Sequence, residues 1–477
     1  MKPKESIHDF LLKHEEKKPV SFHMPGHKGQ AFYRDHGFGL FLDKMMSCDI
    51  TEISGADNLF QPEGIIRRTM DRYKALYDVE RSYLLINGSS GGIIAGILAS
   101  VSKGGKLIMA RNCHKSVFNA LLLGDISPVY AYPQMVEACG IAGSVSAEEI
   151  VRCMEENPEV EAVILPSPNY YGICSDIKEI AKEVHRRGKI LIVDQAHGAH
   201  LKFFQNWADG FPEPAENQGA DLVINSIHKT LGSFTQTGVL NICTDRIDYP
   251  RLENWLQAME SSSPSYLLMA SLDMNAQILE TEGAELIRSW AADIKFFYEA
   301  AGRIPGLKIM QHAALDKTKL NLDMSAYGLD GNQLEQILAE KGIFLELVSG
   351  NITMGMTGIG NKRCDYERLL KTLSEIADTH VLHEKIAVAE PAVINRRLVI
   401  ERLPERSERI PLRQADQRVC ALSVIPYPPG IPLVCPGEVF DKEVITYIKT
   451  LREKGEKVIG LDEEGCVLVG SRVVSNL

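Results

Sequence analysis

VDQAHGAH at residues 193–200 and SIHKT at residues 226–230 are the two stretches that decide the fold. Each continues a short apolar run (KILIV and DLVIN), which is typical of a strand buried in a parallel sheet. Asp194 stands where the first strand would end, and Lys229 lies just past the second. Because sites of open α/β sheets form at the carboxyl ends of strands, the sequence predicts that this carboxylate and this amine meet at one rim.

Strand-like and helix-like segments alternate around these two stretches. Apolar runs at 83–87, 106–110, 127–132 and 160–165 are each followed by a segment with the length or the period of a helix. This alternation predicts an α/β fold with a mainly parallel sheet that helices cover on both faces. Right-handed crossovers would then gather the turn residues along one edge of the sheet.

An acid and a lysine at one rim suit pyridoxal phosphate. A lysine amine can condense with the aldehyde of this cofactor, and an acid can keep its pyridine nitrogen protonated. Ser226 and His228 stand beside Lys229, where they can hold the phosphate. Taken alone, Asp194 could equally cap a turn and Lys229 could be a surface lysine, so the prediction depends on the two together.

A turn of small residues, GSSGG at 88–92, precedes an apolar helix-like segment. The free backbone amides and the dipole at such a helix start favour an anion, and two hydroxyl groups add donors. Ser89, Ser90 and Gly91 are therefore predicted to bind the cofactor phosphate. Such turns are also ordinary helix caps, and the phosphate interpretation gains its strength from Asp194 and Lys229.

These motifs resemble the Orn/Lys/Arg decarboxylase family of fold type I pyridoxal phosphate enzymes. Further matching stretches, in family order, are FHMPGHK at 22–28, DITE at 49–52, RNCHKS at 111–116, SSPSY at 262–266 and YPPGIP at 427–432. One position departs from the pattern, because family members often carry Glu after the aspartate and this chain carries Gln195. Since Asp194 itself is the partner of the ring nitrogen, activity is still expected.

The resemblance implies roles for individual residues. Lys229, Asp194 and His114 are the implied catalytic residues, with His114 stacked on the pyridine ring, and His197 is an implied cofactor contact. Glu438 is the one acid of a proline-rich loop that is too stiff to be a helix. It is predicted either to meet the distal cation of the substrate or to cap the helix that follows.

Changes of pattern along the chain, together with the resemblance, divide it into four predicted parts. Residues 1–70 would form an N-terminal arm and active-site loops, 71–304 the large pyridoxal phosphate-binding domain, 305–385 a small α/β domain, and 386–477 a C-terminal domain with the proline-rich loop. Residues 383–418 mix Arg with Glu and predict a connecting helix.

The implied activity is decarboxylation of a basic amino acid for polyamine metabolism. Arginine, giving agmatine, is favoured over lysine, giving cadaverine, and ornithine, giving putrescine, because the chain resembles the short biosynthetic form that lacks an extra amino-terminal domain. A fold type I aminotransferase or an aldol-type lyase would use the same Asp and Lys. A non-catalytic regulator that binds the cofactor is the alternative of another class.

Composition limits the partners and the compartment. The formal net charge is −11 with no basic block, which argues against nucleic-acid binding. The apolar runs are shorter than a bilayer span, so no membrane association is expected. Ten scattered cysteines without a Cys-x-x-Cys pair predict reduced thiols in the cytoplasm and no metal site. The resemblance implies a homodimer or a larger homo-oligomer with shared active sites.

Overall fold

A central seven-stranded sheet organises the structure, a computed structural model that describes residues 6–383, 398, 404, 406–426, 432–453, 455 and 457–471. Short elements precede this sheet. They are α1 (Ile7–Glu16), β1 (Val20–Phe22), α2 (Gln30–Asp35), α3 (Gly39–Asp43) and α4 (Ile65–Tyr77).

The strands of the central sheet alternate with helices, and a separate two-stranded pair (Met135–Val136 with Ile141–Ala142) lies among them. They are β2 (Arg81–Leu85), α5 (Gly88–Ser100), β3 (Lys106–Ala110), α6 (Lys115–Gly124), β4 (Ser127–Ala131), β5 (Met135–Val136), β6 (Ile141–Ala142), α7 (Ala147–Glu156), β7 (Ala162–Pro166), α8 (Ile177–Arg186), β8 (Ile190–Asp194), α9 (Leu201–Trp207), β9 (Leu222–Asn225), α10 (Ile227–Thr230), β10 (Gly238–Ile242), α11 (Tyr249–Met259) and α12 (Tyr266–Ala301).

The strand order in the central sheet is β2-β10-β9-β8-β7-β3-β4. β10 runs antiparallel to both of its neighbours, whereas β4, β3, β7, β8 and β9 pair in parallel. One hydrophobic cluster packs α5, α6, α7, α8 and α11 on one face, and a second packs α4, α9 and α12 on the other. The predicted α/β class with a mainly parallel, doubly covered sheet is therefore confirmed.

A second sheet lies after α12, with its own hydrophobic cluster. Its elements are β11 (Lys308–Ile309), β12 (Lys319–Asp323), α13 (Gly331–Glu340), β13 (Ile343–Leu345), β14 (Leu347–Ser349), β15 (Ile352–Met356) and α14 (Arg363–Thr379). The antiparallel order is β11-β12-β15-β14. β1 pairs in parallel with β13, so the amino-terminal segment is fixed to this later part of the chain.

The carboxyl-terminal part forms a small antiparallel unit around a further hydrophobic cluster. Its elements are β16 (Ser407–Pro411), β17 (Ile425–Pro426), α15 (Lys442–Glu453), β18 (Val458–Ile459) and β19 (Cys466–Gly470), with β16 paired to β19 and β17 to β18. The helix predicted for 383–418 is wrong where the chain is described, because residues 407–411 form β16, which pairs antiparallel with the distant β19. Residues 427–431 of the proline-rich motif lie outside the described residues.

No helix in the described ranges is both long and apolar enough to cross a membrane.

Candidate active site

A cavity of about 370 Å³ opens where β7, β8 and β9 end and α5 begins. Eight of the residues predicted from the sequence line it: Ser89, Ser90, His114, Asp194, His197, Ser226, His228 and Lys229. Gly91 lies one position further into α5, packed beside Met259, and Glu438 lies elsewhere. The remaining lining residues are Met24, Asn87, Gly88, Ile93, Pro166, Pro168, Tyr170, Ala196, Thr235 and Gln236.

Lys229 and Asp194 are both buried beside this cavity. Burial lowers the pKa of Lys229, while the nearby charges of Asp194 and Glu346 oppose that shift. Burial raises the pKa of Asp194, and the charge of Lys229 opposes it. Asp194 Oδ1 accepts a hydrogen bond from the amide of Ala196 at 3.1 Å, which fixes the carboxylate at the strand end. The amine is therefore easier to deprotonate than an exposed lysine.

His197 is the nearest side-chain partner of the Lys229 amine. Its Nε2 lies 2.8 Å from Lys229 Nζ, and its ring centroid lies 4.9 Å from that of Tyr170. Burial and the charge of Lys229 hold the pKa of His197 well below its usual range, so the ring is neutral. Within the residues that the structure describes, the buried Nδ1 of His197 has no hydrogen-bond partner. Such an atom is expected to meet a bound group.

The start of α5 forms an anion site at the other end of the cavity. In the described part of the chain no side chain caps the first turn of α5, so its amides remain available. Ser226 Oγ donates to Ser89 Oγ at 2.7 Å, which brings two hydroxyl groups together at this point. Gly88 opens the turn with φ +75°, a conformation that favours glycine.

Two more histidines at the cavity are neutral. Burial lowers the pKa of His114 to about 3, with the charge of Lys229 adding to the shift. Its Nδ1 lies 2.9 Å from Ser116 Oγ, which fixes the ring at the start of α6. Burial lowers the pKa of His228 to about 4, and its Nδ1 donates to the carbonyl of Thr237 at 2.7 Å. A neutral, fixed ring at position 114 suits stacking against an aromatic ligand.

The loop after β1 packs directly on the segment that carries Lys229. The amide of Gly26 donates to the carbonyl of His228 at 2.7 Å, and its carbonyl accepts from the amide of Gly360 at 3.0 Å. A Cβ at position 26 would lie 2.4 Å from the carbonyl carbon of Thr230. Only glycine fits this approach, and Met24 of the same FHMPGHK stretch lines the cavity.

An acid behind this loop was not foreseen from the sequence. The amide of Met24, which lines the cavity, donates to Glu346 Oε2 at 3.0 Å. The carbonyl of the same peptide unit, from His23, accepts from Lys28 Nζ. Burial raises the pKa of Glu346, and Lys229 and Lys28 are among the charges that lower it. Glu346 lies between β13 and β14, where an alternating strand pattern gives no sign of a site.

The structure corrects the substrate role predicted for Glu438. This side chain is 0% exposed and makes a two-point pair with Arg111: Nε to Oε1 at 3.2 Å and Nη2 to Oε2 at 3.0 Å. The amide of Cys435 also donates to Oε2 at 2.8 Å. Both carboxylate oxygens are thus engaged away from the cavity. Arg111 further donates to the carbonyls of Pro432 and Leu433, so the pair fixes the carboxyl-terminal unit to the end of β3.

Gln195, the position that departs from the family pattern, has a structural partner. Its Nε2 donates to Glu216 Oε2 at 2.8 Å and to Asn225 Oδ1 at 3.1 Å, and its Oε1 accepts from the amide of Ala215 at 2.8 Å. The amide group therefore bonds with a carboxylate that a glutamate at this position would repel. Gln195 does not line the cavity, and its bonds to Glu216, Asn225 and Ala215 fit a structural role for this position.

We expect Gln195→Glu to introduce a pH-dependent loss of stability. Two facing carboxylates raise the pKa of one of them. A carboxyl whose pKa is raised by folding stabilises the protein at low pH, and this contribution is lost as pH rises through the folded pKa. Thermal unfolding should show a deficit of about 1–3 kcal/mol at pH 8 that shrinks at pH 5.

Gln205→Glu is the matched control, because Gln205 is exposed and its amide also lies near an acid, Glu213. It should change the unfolding temperature little at either pH. An equal deficit for Gln195→Glu at both pH values would contradict the carboxylate pair.

Family comparison covers most of the chain. Residues 6–320 match the model described as Orn/Lys/Arg decarboxylase, major domain, and residues 378–468 match the model described as Orn/Lys/Arg decarboxylase, C-terminal domain. The two matches include every residue that lines the cavity.

Relatives of known name resemble the chain along nearly its whole length. An arginine decarboxylase of Bacillus subtilis is 31% identical, covering 95% of this chain and 94% of the relative. An arginine decarboxylase of Halalkalibacterium halodurans is 28% identical, with coverage of 95% and 94%. The solved structure of the constitutive lysine decarboxylase of Escherichia coli has a TM-score of 0.72 at 19% identity, covering 97% of this chain and 81% of that one. The last similarity supports the fold.

Proposed function

Since the chain belongs to the Orn/Lys/Arg decarboxylase family, we propose that it decarboxylates a basic amino acid, preferably arginine to agmatine, with pyridoxal 5'-phosphate held in the cavity. The observation that carries this proposal is the meeting of Lys229, Asp194 and the uncapped start of α5 at one cavity. The product would enter polyamine metabolism. Fold alone would not support this choice, since many reactions share the same architecture.

The residues present fit this cofactor. The phosphate matches the free amides at the start of α5 and the hydroxyls of Ser89 and Ser226. The pyridine nitrogen matches the buried carboxylate of Asp194, and the aldehyde matches the amine of Lys229. His197 Nδ1, which has no hydrogen-bond partner among the residues that the structure describes, supplies one more polar group for a ligand. The one acid and the one amine that line the described cavity, Asp194 and Lys229, thus each match a group of the cofactor.

Each side chain then has a definite task. When bound, pyridoxal phosphate supplies a ring that accepts the electron pair left as the substrate carboxylate departs as carbon dioxide. Asp194 presents a fixed negative charge, which keeps a proton on a ring nitrogen beside it. Lys229 would hold the aldehyde end of the cofactor, and its lowered pKa makes Nζ available as a nucleophile. His197 Nε2, 2.8 Å from Nζ, can accept or return a proton there.

Glu346 is proposed to bind the distal cation of the substrate. Among the described residues that line the cavity, Asp194 is the one acid, and it is required at the ring nitrogen. Glu346 lies just behind Met24, and its charge acts on Lys229 across the cavity rim. A partly buried carboxylate pairs well with a guanidinium, because that group offers two parallel donors.

Glu346→Gln should weaken the use of arginine without unfolding the protein. Removing one partner of a buried charge pair costs about 2–5 kcal/mol, which lowers kcat/KM by about 30-fold or more. Most of the change should lie in KM, because the distal cation binds far from the reacting carbon. Steady-state kinetics with arginine measures the effect.

Glu438→Gln is the matched control for a buried glutamate. It leaves Arg111 without its charge partner, so stability should fall by about 3–5 kcal/mol while KM for arginine stays near the wild-type value. An unchanged KM in Glu346→Gln would reject Glu346 as the reader of the distal cation.

The direct test of the proposed function is a product assay. The purified chain with added pyridoxal phosphate receives arginine, lysine and ornithine in equal amounts, and mass spectrometry identifies the products. Agmatine as the main product is expected, because the named relatives at 28–31% identity are arginine decarboxylases. Cadaverine as the sole product would identify lysine as the substrate, and putrescine as the sole product would identify ornithine. A keto acid with no amine would instead support the aminotransferase alternative, and an unchanged mixture the regulatory one.

We also propose a homodimer whose cavities both subunits complete. Apolar side chains between α3 and α4 are exposed in the single chain, among them Met46 at 81% and Ile53 at 58%. The described residues at 49–64 do not line the cavity of their own chain. Exposed apolar patches of this kind suit burial against a second copy. Light scattering of the purified protein tests the dimer, and a monomer that turns over arginine would reject it.

The cytoplasm is the proposed compartment. All ten cysteines are free thiols in the structure, and five of them, including Cys113 and Cys435, are buried. A chain with this many unpaired thiols suits a reducing compartment. Thiol titration of the freshly purified, unfolded protein should find all of them reduced.

A further inference from the structure

Four buried polar side chains join the second sheet to the cavity rim. We call His200, Asp316, Thr318 and Lys319 the rim cluster, and each of them is 0% exposed. Asp316 Oδ2 lies 3.1 Å from Lys319 Nζ, 3.1 Å from His200 Nε2 and 2.8 Å from Thr318 Oγ1. Its Oδ1 accepts from the amide of Thr318 at 3.0 Å. The carboxylate is therefore the centre of a fully bonded set.

One end of the rim cluster holds His197. Lys319, the first residue of β12, donates from Nζ to the carbonyl of His197 at 2.9 Å. That bond fixes the backbone from which the His197 ring reaches Lys229 Nζ at 2.8 Å. Lys319 belongs to the second sheet, so this contact links the second sheet to the segment that follows β8. In the described ranges, no residue of the central sheet donates a hydrogen bond to the carbonyl of His197.

The other end holds the segment of Lys229. His200 Nε2 lies 3.1 Å from Asp316 Oδ2 and 3.2 Å from Thr318 Oγ1, which gives its own proton to Asp316. Both neighbours act as acceptors, so Nε2 carries the proton and Nδ1 is left as an acceptor. Thr230 Oγ1 lies 3.1 Å from His200 Nδ1 and donates to it. Thr230 directly follows Lys229 and is itself 0% exposed. The same carboxylate thus fixes both members of the contact between Lys229 and His197.

Stability alone does not explain why charges stand at this place. Taking a lysine and an aspartate fully out of water is costly, and well-packed apolar residues of similar size are often as stable or more stable. The bonds of the rim cluster are directional, however, and they end on His197 and on Thr230, the residue that follows Lys229. A directional network fixes positions to a degree that apolar packing does not.

We infer that the rim cluster is a positioning device that sets the separation of Lys229 Nζ and His197 Nε2, and with it the place of the aldehyde end of the cofactor. His200, Asp316, Thr318 and Lys319 do not line the cavity, so they act through His197 and Thr230. The inference rests on the proposed function in one respect, namely that the cavity holds pyridoxal phosphate.

The first test replaces both charges together, in Asp316→Leu/Lys319→Met. Because no unpaired charge remains, the unfolding temperature of the cofactor-free protein should stay within about 5 °C of wild type. The dissociation constant for pyridoxal phosphate should rise about tenfold or more, since a misplacement of about 1 Å at a site has effects of this size. The visible circular dichroism of the saturated protein should change, and borohydride should trap less cofactor on Lys229.

The second variant, Thr230→Val, needs no buried charge to be removed. It keeps the shape of the side chain and deletes the hydroxyl that bonds His200 Nδ1. The dissociation constant for pyridoxal phosphate should rise about three- to tenfold, which corresponds to the loss of one hydrogen bond. The visible dichroism should change in the same direction as in the double variant. This variant decides the question if the double variant does not fold.

Asp221→Asn is the control for a buried acid outside the cavity. Asp221 is also 0% exposed and pairs with His185 at 2.9 Å. Its loss should lower the unfolding temperature and leave the dichroism of bound cofactor unchanged.

Wild-type affinity and wild-type dichroism in Thr230→Val, and in Asp316→Leu/Lys319→Met where that variant folds, would overturn the inference. The same dichroism change in Asp221→Asn would also overturn it, because the effect would then follow from lost stability. Failure of the wild-type chain to bind pyridoxal phosphate would overturn the proposed function instead, and that measurement precedes every comparison of variants.

Discussion

Lys229→Ala is expected to lower kcat for arginine by at least about 10³-fold, the scale on which loss of a covalent nucleophile acts. The amine of Lys229 is buried at the cavity, its pKa is lowered by burial, and His197 Nε2 is its nearest side-chain partner. No other lysine lines the described cavity, so no neighbour can replace it. Steady-state kinetics, with the amine product measured by mass spectrometry, gives the effect.

Lys202→Ala is the matched control for this prediction. Lys202 is also buried, but its Nζ bonds to Asn217 at 2.7 Å, away from the cavity. Its loss should lower stability and leave kcat of the folded protein near wild type. A Lys229→Ala protein with more than about 10% of wild-type kcat would remove Lys229 from the reaction, whatever the control shows.

Asp194→Asn should lower kcat by about 10²–10³-fold, the usual cost of removing one preorganised electrostatic partner. Asparagine keeps the size of the side chain and its acceptor for the amide of Ala196, while the negative charge is lost. A ring nitrogen beside it would no longer be held in the protonated state. The ultraviolet-visible spectrum of bound pyridoxal phosphate should shift along with the loss of activity.

Asp221→Asn again separates charge at the cavity from charge elsewhere in the sheet. Asp221 stands just before β9 and bonds the amide of Leu191 at 2.7 Å. Its asparagine variant should keep the wild-type spectrum. If Asp194→Asn retained both the wild-type spectrum and the wild-type rate, the assignment of Asp194 to the ring nitrogen would be rejected.

The central sheet could be predicted because its strands are buried on both faces and therefore appear as unbroken apolar runs. β7 and β10 are buried at every position, which makes such runs easy to recognise. The direction of β10 could not be predicted, because a uniformly apolar strand has the same hydrophobic pattern whether it pairs parallel or antiparallel. The pairing of β1 with β13 was missed for a similar reason, because three residues carry too little pattern.

The cavity residues that could be predicted are those that follow the ends of the central strands, such as Asp194 and Lys229. Glu346, in contrast, belongs to the second sheet, and its approach to Met24 depends on how the two sheets pack. Glu438 was misjudged because its loop gives no sign of a partner. Arg111 stands in the RNCHKS stretch that also supplies His114, yet nothing in either stretch shows that the two charges pair.

The pair of Arg111 with Glu438 also has a consequence for the order of events during synthesis. The two residues are 327 positions apart, so a ribosome adding roughly 5–20 residues per second makes the arginine roughly 16–65 s before its partner. Throughout that interval the nascent sheet holds a cation at the end of β3 without its acid. The carboxyl-terminal unit is therefore joined to the end of β3 only late in translation, after all the residues that line the cavity have been made.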